Sequence, residues 1–170
     1  MGYPDIVPPV QRGENYFISF IGKDIMLSEH KIVVRHLIDD VWNNGKLSVL
    51  DELVTRNFTY HCPLRPDSIT GRDVFKQWIA AVRSAFAQFR LTPLGYLIGE
   101  GEQVSGRWRM SGIHTGPLLH LEPTYREFSV EGISLYRLVD EAIAEMWMSY
   151  DLYGLMHQLG LMPEIDTVEV

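Results

Sequence analysis

The sequence predicts an α+β fold in which helices come first and an antiparallel sheet follows. Up to about residue 89, apolar residues recur at three- and four-residue spacing, which is typical of amphipathic helices. From residue 90 onward the apolar period changes to two, as in half-buried strands. Turn signals at Glu100-Gly101 and Asp140-Glu141 separate successive strand-like segments, so neighbouring strands should pair antiparallel.

The elements before residue 90 follow from this periodicity and from local stop signals. The pattern predicts three helices and one early strand, in the order helix 28–45, helix 47–54, strand 58–62 and helix 71–89. Gly45 ends the first helix, because glycine adopts the left-handed conformation of a C-terminal cap. The third helix is predicted to be the longest, and Thr70 with Asp73 resembles a capping box at its start.

After residue 89 the sequence predicts four strands and a closing helix. Their expected bounds are 90–98, 102–114, 127–138 and 141–151 for the strands and 152–159 for the helix. Residues two apart on a strand share a face. This alternation places Val104, Gly106, Trp108, Met110, Gly112 and His114 together, and this set is expected to point inward. On the last strand it groups Ile143, Glu145, Trp147, Ser149 and Asp151.

Composition limits the possible functions. A chain of 170 residues fits one domain, here 29–162, between an N-terminal arm (1–28) and an acidic tail (163–170). The net charge is −7 with dispersed basic residues, which argues against nucleic-acid binding. A single cysteine, Cys62, together with the lack of a signal peptide or an apolar span, predicts a cytoplasmic protein without membrane insertion.

The chemistry is expected between two strands, where His114 and His120 flank an apolar segment that carries glycine and proline. Histidine titrates near neutral pH, so such a pair can transfer protons. Asp151 has two open interpretations, a carboxylate with acid/base function or the N-cap of the closing helix. His61 ends an early strand and is a candidate for a pocket rim.

Motifs for other chemistries are missing from the sequence. It has no His-Glu-x-x-His, no second cysteine, no P-loop, no G-x-S-x-G and no G-x-G-x-x-G. We therefore expect no metal and no cofactor. Glu145 is interpreted as an ion-pair partner of Arg107 or Arg109 across the sheet.

Several short motifs together resemble the SnoaL-like polyketide cyclases, a branch of the NTF2-like superfamily. The resemblance runs from about Ile32 to Leu161. The motifs are Val41-Trp-Asn-Asn-Gly45, Phe58-Thr-Tyr-His61, Arg107-Trp-Arg-Met-Ser-Gly-Ile-His-Thr-Gly116, Pro123-Thr124, Glu131-Gly-Ile-Ser-Leu-Tyr-Arg137, Glu145-Met-Trp147, Asp151 and Gln158-Leu-Gly160.

This resemblance implies an NTF2-like cone, a bent sheet around a long helix that encloses an apolar cavity. It also implies a cofactor-free enzyme that assembles as a homodimer or homotetramer. In the family an acid/base aspartate follows a loop histidine by 14 positions; counted from His120, this position is Ser134. Serine is no general base at neutral pH, so Asp151, or else Glu131, is the expected substitute.

The resulting hypothesis is a cyclase or isomerase that acts on an apolar, oxygenated, polyketide-like molecule by His-assisted proton transfer. His120 would be the acid or base, with His114 as its partner or as a carbonyl donor. Trp108, Tyr136 and Trp147 would shape the cavity, and His61, Ser134 and Glu131 would contact the substrate. An epoxide- or ester-opening hydrolase and a non-catalytic ligand-binding protein are the alternatives.

Overall fold

The computed structural model describes residues 27–162 and has the predicted α+β architecture, a bent, open sheet with four helices. The expectations for the N-terminal arm and the acidic tail fall on residues 1–26 and 163–170 and lie outside the described residues. None of the helices between residues 27 and 162 combines the length and the hydropathy of a transmembrane span.

Three of the four helices lie before residue 86, and the fourth follows the last strand. Helix α1 is α-helical over 27–36 and continues as a π-helix over Leu37–Asn43. The remaining helices are α2 (Leu50–Leu53, after a 3₁₀ turn at Leu47–Val49), α3 (Arg72–Ala85) and α4 (Leu152–Gln158). As predicted, Gly45 ends α1 with a positive φ of 71°, and its N–H donates to the Val41 carbonyl. The capping box is wrong, because Gly71 is the N-cap of α3 and no side chain caps it.

Seven strands form one sheet. They are β1 (Val54–His61), β2 (Ile69–Thr70), β3 (Phe86–Pro93), β4 (Ile98–Glu100), β5 (Gln103–His114), β6 (Glu127–Val139) and β7 (Ala142–Tyr150). Their order is β2-β1-β7-β6-β5-β3, with β4 also paired to β5. All pairs are antiparallel except β1 with β7, which is parallel. The wholly antiparallel sheet predicted from the turns is therefore wrong at this pair, whose strands are far apart in sequence.

Helix α3 ends at Ala85, four residues before the predicted end, and β3 starts at once. The prediction failed because Phe86 and Phe89 are both buried at helix-like spacing. In the structure a bulge between Ala87 and Arg90, with Gln88 at a φ of 53°, turns both rings to the same side of a strand. Since a bulge adds one residue and bends the strand, it imitates a helical period locally.

A second bulge changes the predicted face of β7. Ile143 is buried together with Met146 and Met148, whereas Glu145 and Trp147 are half-buried on the other side. The register shifts where Arg137 and Leu138 meet β7. Grouping Ile143 with Glu145 was therefore wrong. On β5, which pairs regularly with β6, all six residues expected to point inward are buried.

The helices pack on the sheet and enclose the core. The π-helical part of α1 packs on β3, α3 packs on β1 and β3, and α4 packs on β6. The buried face of α3 consists of Phe75, Trp78, Ile79, Val82 and Ala85. Burial of each large apolar side chain stabilises the fold by about 1.5–3 kcal/mol.

A substitution at Gly132 tests the packing of β6 on β5. A Cβ at this position would lie 2.6 Å from Cζ2 of Trp108 and 2.5 Å from the Ser149 carbonyl oxygen. We expect Gly132→Ala to lower the free energy of unfolding by about 1–3 kcal/mol, measured by urea denaturation. The exposed Ser149→Ala is the control, with a change below about 0.5 kcal/mol. Equal stability of the two variants would contradict this packing.

Candidate active-site cavity

An apolar cavity lies between the concave side of the sheet and the helices. Its empty volume, which includes the part open to solvent, is about 580 Å³, and the centres of water-sized molecules fit into only about 30 Å³ of it. The polar groups on its wall belong to Trp42, Tyr60, Trp78, His114 and Tyr150. Leucines of the 115–125 loop and apolar residues of α4 form one end of the wall. No charged side chain lines the cavity in the part of the chain that the structure describes.

His114 is the last residue of β5 and is completely buried, on the inward face that strand alternation predicted. It pairs with Phe86 across the sheet, and the two ring centroids are 5.3 Å apart. Its backbone N–H donates to the Arg126 carbonyl at 3.0 Å, and its carbonyl accepts from the Tyr125 N–H at 2.8 Å. These bonds hold the end of the 115–125 loop beside the imidazole.

The hydrogen bonds of the His114 ring determine which nitrogen carries the proton. Nδ1 accepts the backbone N–H of Thr124 at 3.3 Å, and the Thr124 hydroxyl lies at the same distance. With Nδ1 acting as an acceptor, the proton of the neutral ring is on Nε2. Nε2 is buried and has no hydrogen-bond partner among residues 27–162. Burial lowers the pKa of His114 by more than an interaction with the Gly116 backbone raises it, so the ring is neutral at pH 7.

Two further unpaired donors line the same cavity. The indole N–H groups of Trp42 and Trp78 are both buried without an acceptor among the described residues. The Tyr60 hydroxyl donates to the sulfur of Met148 at 3.3 Å. Burial raises the pKa of Tyr60 and of Tyr150, so both hydroxyls stay protonated. The cavity therefore offers neutral hydrogen-bond donors to an oxygen-bearing ligand.

His120 lies outside this cavity. It is exposed in a turn that is closed by two backbone hydrogen bonds between Leu118 and Leu121, at 3.1 and 2.9 Å. Leu118 and Leu121 line the cavity, whereas His120 does not. The structure thus separates the two histidines that are close in sequence.

The carboxylates expected to replace the family's aspartate also lie elsewhere. Asp151 is exposed and caps α4, with its Oδ1 accepting the Gly154 N–H at 2.7 Å, which is the capping alternative. Glu131 is exposed on the outer face of the sheet and pairs with Arg107 and Arg109 at 3.0 and 2.7 Å. The predicted pairing of Glu145 with these two arginines is therefore wrong.

The remaining predicted residues are divided between the core and the outer face. Ser134, Trp108 and Tyr136 are buried but do not line the cavity. The Ser134 hydroxyl accepts the indole N–H of Trp108 at 2.9 Å, and burial raises the pKa of Tyr136 to about 12.

His61 and Trp147 line an open groove on the outer face, where their rings stack with centroids 5.3 Å apart. His61 Nε2 lies 2.9 Å from Glu145, which also pairs with Arg137 at 3.1 Å. This group is therefore separate from the wall that His114 lines.

Sequence reasoning missed the aromatic residues that helices and β1 contribute to the cavity. Periodicity places Trp42 and Trp78 in predicted helices and Tyr60 in a predicted strand, and it gives none of them a site role. The available signal was a tryptophan on the buried face of each of two helices, since buried indole N–H groups usually have a partner.

As for metals, no group of three or more His, Cys, Asp or Glu side chains within residues 27–162 could hold an ion.

Comparisons with known proteins identify relatives along most of the chain. The profile of the family described as SnoaL-like polyketide cyclase matches residues 32–159. Nogalonic acid methyl ester cyclase of Streptomyces nogalater is 29% identical over 119 residues, 70% of this chain and 89% of that protein. Aklanonic acid methyl ester cyclase AcmA of Streptomyces galilaeus is 28% identical over 135 residues, 79% of this chain and 92% of that protein.

Solved structures show the same fold. A protein with a ketosteroid isomerase-like fold from Catenulispora acidiphila superposes with a TM-score of 0.64 at 21% identity, covering 76% of this chain and 93% of that one. The predicted NTF2-like class is confirmed by this likeness.

The lowered pKa of His114 predicts a specific pH dependence of stability. The unfolded chain binds a proton at this histidine near its ordinary pKa of 6.5, whereas the folded chain does so only at lower pH. This group therefore lowers the free energy of unfolding as pH falls below 6.5. His114→Gln removes this titration, so the free energy of unfolding of wild type minus that of the variant should fall from pH 7.5 to pH 5. Urea denaturation across this range measures this quantity; a constant or rising value at lower pH would contradict the assignment.

Proposed function

The chain belongs to the SnoaL-like polyketide cyclase family, and on this premise we propose that it is an ester cyclase that closes a ring in a polyketide by His-assisted acid/base chemistry. The observation that carries the proposal is the buried, unpaired Nε2–H of His114 on the wall of an uncharged cavity.

Ring closure of this kind creates negative charge on oxygen. A C–H next to a carbonyl loses its proton, and the resulting enolate carbon attacks a second carbonyl carbon. The new alkoxide then takes up the proton that the C–H released, carried between the two atoms by hydroxide and water because no free base lines the described wall. The product is therefore an isomer of the substrate and no electron carrier is needed. Hydrogen-bond donors in a site without water stabilise such charge more strongly than water does.

In this proposal His114 is the donor to the developing oxyanion. Its Nε2–H points away from the Nδ1 edge that Thr124 binds, and the neutral ring requires no counterion. The indole N–H of Trp42 would be a second donor to an oxygen of the same ligand. His114 replaces His120 and Asp151 as the residue next to the ligand, because neither of those side chains lines the cavity, and its role is that of a hydrogen-bond donor because Nδ1 is occupied.

The geometry is less favourable for the hydrolytic alternative. Opening an epoxide or ester would need a water held between a carboxylate and a histidine. Among the described residues no carboxylate lines the cavity beside His114. A non-catalytic ligand-binding protein needs only the donors, and turnover distinguishes it from a cyclase.

Homo-oligomerisation is a separate part of the proposal and comes from the family resemblance. We propose a homodimer or homotetramer, and light scattering on the purified chain would measure its mass.

Turnover of the relatives' substrates tests the proposed function. Purified protein is incubated with nogalonic acid methyl ester or aklanonic acid methyl ester, and the expected product has unchanged mass but a different retention time and absorption spectrum. We expect His114→Leu to lower kcat by about 100-fold or more with little change in KM, because the donor acts mainly on the transition state.

His120→Ala is the matched control and should keep kcat/KM within about twofold of wild type, because His120 is exposed outside the cavity. Thermal denaturation confirms that both variants are folded. Full activity of a folded His114→Leu would exclude His114 from the chemistry. Ligand binding by wild type without turnover would instead support the non-catalytic alternative.

A further inference from the structure

Arg65 lies at the edge of the cavity, in the segment between β1 and β2. It lines the open groove on the outer face and also a shallower depression beside α3. The groove shares Met148 with the cavity wall, and the depression shares Trp78 and Leu118 with it. Arg65 is therefore located where both surface depressions approach the interior.

The guanidinium of Arg65 is held over an aromatic ring of the cavity wall. Its Cζ lies 5.5 Å from the centroid of the Trp78 ring. This cation–π contact attracts the guanidinium to the ring, and it satisfies no N–H group. Nε of Arg65 is buried and has no hydrogen-bond acceptor in the described part of the chain.

The other half-buried arginines have hydrogen-bond acceptors, which Arg65 lacks among the described residues. Among residues 27–162 the half-buried arginines are Arg65, Arg72, Arg83 and Arg137. Arg72 pairs with Asp51, Arg137 pairs with Glu145, and Arg83 donates to two backbone carbonyls of the α1 C-terminus. Only Arg65 of these four has no acceptor. A partly buried guanidinium whose Nε–H lacks an acceptor can form a charge-assisted hydrogen bond to an anionic oxygen.

We infer that Arg65 is a specificity-determining residue that binds an anionic oxygen of the substrate, such as a carboxylate or an ionised phenol or enol. The uncharged cavity holds the ring system and its carbonyl groups, while the charged group stays at the rim. This inference rests on the proposed function, since it names a second contact of the same ligand. The two contacts give the ligand one orientation, with the anionic end at Arg65 and a carbonyl oxygen at His114.

A matched pair of ligands tests this inference by binding alone. The probes are anthraquinone-2-carboxylate and its methyl ester, which share a flat ring system with two carbonyl oxygens and differ in one charge. Quenching of tryptophan fluorescence reports binding, because Trp42 and Trp78 line the cavity. Wild type should bind the carboxylate at least about tenfold more tightly than the ester, as expected for a charge-assisted hydrogen bond.

Arg65→Gln should bring the two dissociation constants within about threefold of each other. The dissociation constant of the ester should stay unchanged, and this result would show that the cavity is intact. Arg65→Lys should keep part of the preference, as a point charge without the planar fork. Arg56→Gln removes the same charge at an exposed position of β1 and should behave like wild type.

A carboxylate preference that persists in Arg65→Gln, or equal binding of both ligands by wild type, would overturn the role of Arg65 and leave the proposed function intact. Failure of wild type to bind either ligand would also overturn this inference, while turnover of the polyketide esters tests the proposed function separately.

Discussion

Burial of the His114 imidazole at the end of β5 is the constraint on which the chemistry of the cavity depends. Pairing of β5 with β3 and β6 turns the ring inward, and Thr124 occupies Nδ1. Burial lowers the pKa of the ring so that it is neutral at pH 7, and its remaining N–H needs an acceptor that the described residues do not supply. Since an unpaired buried donor costs about 1–3 kcal/mol, a ligand oxygen that pairs with it recovers this energy.

The two faces of the sheet have different electrostatic roles. On the outer face, Glu131 and Glu145 are paired with arginines and with His61. The concave face presents neutral donors in apolar surroundings. Arg65 lies between these environments and has no carboxylate partner among residues 27–162. A ligand with an uncharged ring system and one anionic group matches this arrangement of charge.

Sequence periodicity was sufficient for the fold class, for β5 and for the inward position of His114. It failed where bulges add a residue, as at Gln88, because the spacing of buried residues then imitates a helix. It could not place His120, which lies exposed outside the cavity, because proximity in sequence does not determine the direction of a side chain in a turn. The two tryptophans of the cavity and the unpaired state of Arg65 depend on contacts between distant segments, which periodicity does not contain.

The protonation state of His114 is the most direct test of this account. ¹⁵N NMR of the labelled imidazole at pH 7 distinguishes a neutral ring with the proton on Nε2 from the other tautomer and from the cation. The account predicts the neutral Nε2–H tautomer, with an Nε2 resonance that shifts when methyl anthraquinone-2-carboxylate binds. A protonated ring at pH 7, a proton on Nδ1, or an Nε2 resonance unaffected by the bound ligand would contradict it.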